Sequence, residues 1–250
     1  MGQNDNWLRE LLARQDLSEA ELTSLRNLRQ QIEGQLSNNL KGDKRFYYGG
    51  SYGKNTMIKS SYDLDIVVYW DAQSPYTIES IYNSVGDVLK QHWKSVNQKK
   101  VSWELPFQGG FHIDVVPGRA IDNKYYEANL YRSDAKTTLK TSLKKHIDVI
   151  KDSGARDVVR LLKLWKIVKN VPIKRTFVLE VLAVLGVKGA TPGDLEAQLM
   201  STFRYIRDAI ERVNMADPAN TNNSLTDDLD LSARAVIKRQ AQAALGFVNK

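Results

Sequence analysis

Apolar residues recur at three- and four-residue spacing through Leu8, Leu11, Leu12, Leu22, Leu25, Leu28, Ile32 and Leu36. That is the period of a helix with one buried face, so residues 6–40 are expected to form one or two helices. Ser18 and Glu21 make a capping box that marks a helix start between them. The period then drops to two. "RFYY" (45–48) and "YDLDIVVYW" (62–70) read as strands, with the first entering a Gly49–Gly50 turn. "SPYTIESIYNSVGDVLKQHW" (74–93) returns to helical spacing behind a Ser-Pro start. "KKVSWELPF" (99–107) and "GGFHIDVVP" (109–117) read as two strands joined by a turn at Gln108–Gly110, with Pro117 ending the second.

From about residue 134 the strand pattern is expected to stop. Residues 139–154 and 155–170 have helical spacing, the apolar run 176–186 suits a buried helix, and 191–213 forms another behind a Thr-Pro start. A polar loop and a last helix complete the chain. The fold class predicted is α+β: a mixed-sheet lobe with N-terminal helices over residues 1–134 and a helical lobe over residues 135–250.

A length of 250 residues suffices for one large domain or two small lobes. Hydrophobic content of 42% and charged content of 26% are ordinary for a globular protein. No apolar run is long enough to cross a bilayer, and the polar start "MGQNDNWLRE" lacks the apolar stretch of a signal peptide. The absence of cysteine excludes disulfides, a thiol nucleophile and cysteine-bound zinc, and fits a cytoplasmic location. A net charge of +7 is compatible with polyanionic ligands such as nucleotides or nucleic acid, and equally with a solvated lysine-rich surface.

The strand 62–70 carries the chemistry. Alternation puts Asp63 and Asp65 on one face, where two like charges repel unless a cation lies between them. A hard divalent ion such as magnesium suits such a pair, although Asp-x-Asp is also common at exposed strand edges. Asp114, in "FHIDVVP", adds a third carboxylate in an apolar strand, where an unpaired one would be costly. Three strand-borne acids describe a two-metal site for in-line attack at phosphorus. Gly49 and Gly50 permit close backbone approach to a phosphate and Ser51 offers a hydroxyl, although a simple tight turn has the same sequence. The spacing of a P-loop is absent. His112 shares a face with Asp114, beside the metals or in a purely structural role. His146 is assigned no chemistry.

"GGSYGKNTMIKSSYDLDIVV" followed by "FHIDVVP" resembles the nucleotidyltransferase superfamily of DNA polymerase β type. Within it the likeness is to 2′-5′ oligoadenylate synthetases, cyclic GMP-AMP synthase and the bacterial CD-NTases of anti-phage systems. "RLLKLWK" (160–166), "RTFVLEVLAVLG" (175–186) and "DPANTNNSL" (217–225) are similar to further segments of those enzymes, so the resemblance spans nearly the whole chain. It implies that Asp63, Asp65 and Asp114 bind two magnesium ions (Mg2+), for which Mn2+ can substitute, and act as the catalytic acids. Gly50 and Ser51 would hold the donor triphosphate, flanked by Lys54 and Thr56. Lys163 would reach its phosphates, and Thr176 and Phe177 would contact the phosphates and stack on the base. The implied activity is template-independent joining of NTPs into a cyclic or short linear oligonucleotide signal for an effector protein. The alternatives are transfer to a macromolecular acceptor (an RNA or DNA 3′ end, or a protein) and a non-catalytic nucleotide or nucleic-acid sensor. A nucleic-acid or protein activator is compatible with each.

Overall fold

Two helices come first, α1 (Asp5–Ala13) and α2 (Glu19–Asn39). The capping box before the second forms as the sequence predicts, with the Ser18 hydroxyl accepting from the Glu21 amide and the Glu21 carboxylate accepting from the Ser18 amide. There follow β1 (Lys44–Tyr48), the short helix α3 (Gly50–Gly53), β2 (Leu64–Trp70), α4 (Ile78–His92), β3 (Asn97–Gln98) and β4 (Trp103–Pro106). Next come β5 (His112–Ala120), β6 (Ala128–Arg132), β7 (Thr137–Thr141), α5 (Leu143–Lys151) and α6 (Arg156–Val168). The chain ends with α7 (Thr176–Gly186), α8 (Leu195–Ala209), β8 (Ala216–Asp217), β9 (Asn220–Ser224) and α9 (Leu231–Phe247). This computed structural model describes residues 2–247.

The architecture is α+β, and the chain divides into two units. A sheet unit comprises Leu17–Met57 and Ser61–Lys145; among the described residues a helical unit takes 2–16, Ile58–Ser60 and 146–247. Residues 135–145 therefore stay with the sheet, and α1 belongs with the helices.

In the sheet unit the strand order is β1-β2-β5-β4-β3, with β6 pairing β5 and β7 pairing β6. The β2–β5 pair is parallel and its neighbours on either side are antiparallel. Leu64, Ile66, Val68 and Trp70 alternate onto one face of β2, where they pack with Ile32, Leu36, Tyr82, Val85 and Leu89 of α2 and α4. Each such side chain contributes roughly 1.5–3 kcal/mol on burial. Val67 and Tyr69 point the other way, into a smaller cluster with Tyr125, Ala128 and Leu130. Asp65 belongs to that second face, because the register of the first is fixed by its apolar residues.

Three expectations are corrected. β5 does not end at Pro117 but runs on to Ala120, with Pro117 in register with Val68 of β2. Strand structure continues past residue 134, since 137–141 is β7 and the following helix begins only at Leu143. β7 pairs with β6 alone and is largely exposed, so it carries no apolar alternation to betray it. The polar loop near 217–225 likewise contains a small hairpin, β8–β9.

The helical unit is built around one cluster that includes Leu8 and Leu12 of α1, Leu162 and Trp165 of α6, Leu179 and Leu182 of α7, Phe203 and Ile206 of α8 and Ile237 of α9. Asp5 fastens α1 into it. Its carboxylate, 1% exposed, accepts from the Leu195 amide at 2.7 Å and from Arg9 Nε at 2.8 Å. It thereby satisfies an orphan N–H in the first turn of α8.

Candidate active site

The parallel register of β2 and β5 sets Asp65 directly beside Asp114. The glycine turn closes onto the same point. The Gly49 amide donates to the Asp65 carbonyl at 2.9 Å, and Gly50 has φ +49. A Cβ on Gly50 would lie 1.6 Å from Asp65 Oδ2, so the turn can pack on this carboxylate only without a side chain. Behind it, α3 is a single turn, and the Thr56 amide donates to the Ser51 carbonyl at 2.9 Å. Thr56 is fully buried and Lys54 nearly so. The Ser51 hydroxyl is buried with no hydrogen-bond partner among the described residues. Buried hydroxyls are ordinarily hydrogen-bonded, so this orphan in the glycine turn calls for an explanation.

Asp63 sits just ahead of β2, with its side chain 42% exposed. His112 Nε2 stands 3.7 Å from Asp63 Oδ2 and 3.9 Å from Asp114 Oδ2, between the two acids. The structure thus brings together Asp63, Asp65, Asp114 and His112, and sets Gly50 against Asp65. Among the described residues no three His, Asp or Glu side chains are gathered closely enough to hold a metal ion between them.

Electrostatics at this face are unfavourable for the bare protein. Burial pushes the Asp65 carboxyl up to about 7, with the charges of Asp63 and Asp114 adding to it and Lys54 and His112 opposing it. Burial also raises Asp114, against the pull of Lys99. A hard divalent cation relieves this crowding, since it takes a few carboxylate oxygens and completes its shell with phosphate oxygens and water. The donor set fits that group.

Three residues near Asp114 were missed in the sequence: Lys99, Ser102 and Glu104. Lys99 Nζ lies 3.1 Å from Asp114 Oδ2, and Ser102 Oγ lies 3.4 Å from Asp114 Oδ1. Glu104 carried a usable signal, being a carboxylate between Trp103 and Leu105 just as Asp114 lies between Ile113 and Val115.

The remaining expected residues lie in the helical unit. Lys163 is 7% exposed and its ammonium is 3.3 Å from the buried Glu180 carboxylate. Thr176 opens α7, and the Phe177 ring packs on His146 with centroids 4.7 Å apart. His146 Nε2 is in turn 2.8 Å from Asp217 Oδ1. The histidine given no chemistry therefore contacts both Phe177 and Asp217.

A mixed sheet with a parallel Asp65–Asp114 pair, a glycine turn ahead of it and a helical unit after it defines a nucleotidyltransferase of DNA polymerase β type. Residues 1–153 match the family of the Second Messenger Oligonucleotide or Dinucleotide Synthetase domain, and the chain belongs to that family. These CD-NTases are nucleotidyltransferases that make cyclic nucleotide signals from NTPs in an anti-phage context. The chain is 26% identical over 225 residues to the cyclic AMP-AMP-AMP synthase of Escherichia coli (strain MS 115-1), covering 81% of this chain and 70% of that one. The structure of E. coli MS115-1 CdnC with ATP superposes with a TM-score of 0.75 at 21% identity, covering 98% of this chain and 91% of that one. The same CdnC in complex with HORMA-deltaN gives 0.75 at 20% identity, covering 98% and 90%. Bradyrhizobium diazoefficiens CdnG with GTP gives 0.77 at 16% identity, covering 98% and 91%. These likenesses establish a shared fold. Among the described residues no helix is long and apolar enough to cross a membrane.

Proposed function

We propose that this chain joins adenine-containing nucleoside triphosphates without a template, releasing pyrophosphate, and makes a cyclic oligonucleotide that acts on an effector protein in the cytoplasm. The single observation that carries the site assignment is the Asp65–Asp114 pairing with Gly50 packed on it. Asp63, Asp65 and Asp114 would hold two magnesium ions. Ions held there would lower the pKa of the acceptor hydroxyl and neutralise charge on the triphosphate. The turn at Gly50 and Ser51 binds the donor triphosphate: the unpartnered Ser51 hydroxyl gains a phosphate oxygen, and Lys54 and Thr56 support the turn. Lys163, Thr176 and Phe177 belong to the same reading as contacts to the donor's phosphates and base. Rate enhancement comes mainly from orientation and from charge already arranged for the transition state. The 26% identity to a cyclic AMP-AMP-AMP synthase supports adenine as the base, and the complex of CdnC with HORMA-deltaN supports a protein partner.

The test is incubation with each ribo- and deoxyribonucleoside triphosphate and magnesium or manganese, with products separated and digested by linkage-specific nucleases. A nuclease-defined cyclic adenine product is expected. Label transfer only to added RNA, DNA or protein would replace this reading by the macromolecular-acceptor one.

A further inference from the structure

Glu104 stands directly across the β4–β5 pair from Asp114, which itself stands beside Asp65. Three carboxylates therefore lie side by side at one level of the sheet, on β2, β5 and β4. Directly opposed like charges on neighbouring strands are destabilising. The chain answers with a cation of its own. Lys99 Nζ lies 2.5 Å from Glu104 Oε2 and 3.1 Å from Asp114 Oδ2, bridging the two acids. The bridge is braced on both sides. Asn97 Nδ2 donates to Glu104 Oε1 at 2.8 Å, and the Lys99 amide donates to the Ser102 carbonyl at 2.9 Å. Ser102 Oγ in turn faces the other oxygen of Asp114.

We propose that Lys99 and Glu104 form a charge-balanced pair that positions Asp114 and sets the affinity of the acidic face for divalent cations. This rests on the reading that Asp63, Asp65 and Asp114 hold those ions. Lys99 restrains Asp114 Oδ2, so the carboxylate is aimed before a cation arrives, but its positive charge alone would repel that cation. Glu104 cancels the charge while leaving the geometry intact. Neither residue touches the reacting atoms; both act through Asp114.

The two charges must then move cation affinity in opposite directions, which a merely structural role would not do. The measurement is a titration of the full chain with Mn2+ alone, followed by electron paramagnetic resonance, so no turnover is required. Glu104→Gln should weaken Mn2+ binding by about five- to tenfold, because Lys99 is left uncompensated beside Asp114. Lys99→Met should tighten it by about the same factor, and the double variant should return to within about twofold of the wild type. Lys99→Arg, which keeps the charge, should stay within about twofold as well. Should Lys99→Met fail to fold, as judged by circular dichroism, the nearly isosteric Glu104→Gln decides alone. If either folded variant binds as the wild type does, or both shift the same way, the proposal is overturned. Asp65→Asn separates the two levels of the argument. If it binds Mn2+ with wild-type affinity, the metal reading itself fails; if it weakens binding while Glu104→Gln and Lys99→Met do not move it, only the role of the pair fails.

Discussion

Asp65 and Asp114 are register partners on the parallel strands β2 and β5, and both carboxyls are held above the ordinary range by burial. Two carboxylates so placed are poor stabilisers and good cation ligands. Asp65→Asn and Asp114→Asn should each lower nucleotide joining by about a thousandfold or more while leaving the thermal midpoint unchanged or raised. Pyrophosphate release and a melting curve on each variant check both halves.

Gly50 offers a sharper test of geometry. Its φ of +49 is strained for any other residue, and an added Cβ would meet Asp65 Oδ2 at 1.6 Å. Gly50→Ala should abolish activity and lower stability by about 1–3 kcal/mol. Gly109→Ala has a comparable φ of +74 but open space around the new methyl. It should cost about 1 kcal/mol and leave the rate untouched. Parallel urea titrations and rate measurements compare the two.

Lys163 is paired with Glu180 inside the helical unit, so its replacement acts on stability before it acts on nucleotides. Lys163→Met removes the ammonium beside a buried carboxylate and should cost about 2–4 kcal/mol. Lys163→Met combined with Glu180→Leu should recover most of that loss, because the charge left behind is gone. Denaturant unfolding of the single and double variants measures it. Retention of wild-type stability by Lys163→Met would show that the pair contributes little.

Asp5 gives a pH signature. The hydrogen bond from Arg9, followed by that from the Leu195 amide, holds its carboxyl below the ordinary 3.8. Because the folded value is depressed, this contribution is fully present above the ordinary value and is lost as pH falls through the folded one. Asp5→Ala should therefore lower the thermal midpoint near neutral pH by roughly 2–6 °C, and the gap to the wild type should close in acid. A gap that is constant across the acid range would contradict the assignment.

Much of this was legible in local pattern. The capping box at Ser18 and Glu21 needs only residues three apart, and the strands around Leu64–Trp70 and Ile113–Val115 announce themselves by apolar content. A carboxylate inside such a strand is conspicuous, which is why Asp65 and Asp114 could be singled out, and the Gly-Gly-Ser turn ahead of them is equally local. β7 was not legible, because an exposed edge strand carries no buried face, and the helical assignment of residues 139–141 failed with it.

The sequence by itself determined which residues are apolar, capped or turn-forming, and so the α+β class and the presence of three acids in or beside strands. Only the tertiary structure decided who stands beside whom: Glu104 and Lys99 against Asp114, His146 against Phe177 and Asp217, Lys163 against Glu180, and α1 with the helical unit. The physical reason is range. Periodicity and capping act within a few residues, whereas strand register and the pairing of buried charges are fixed by contacts between segments far apart in the chain, and no local period records them.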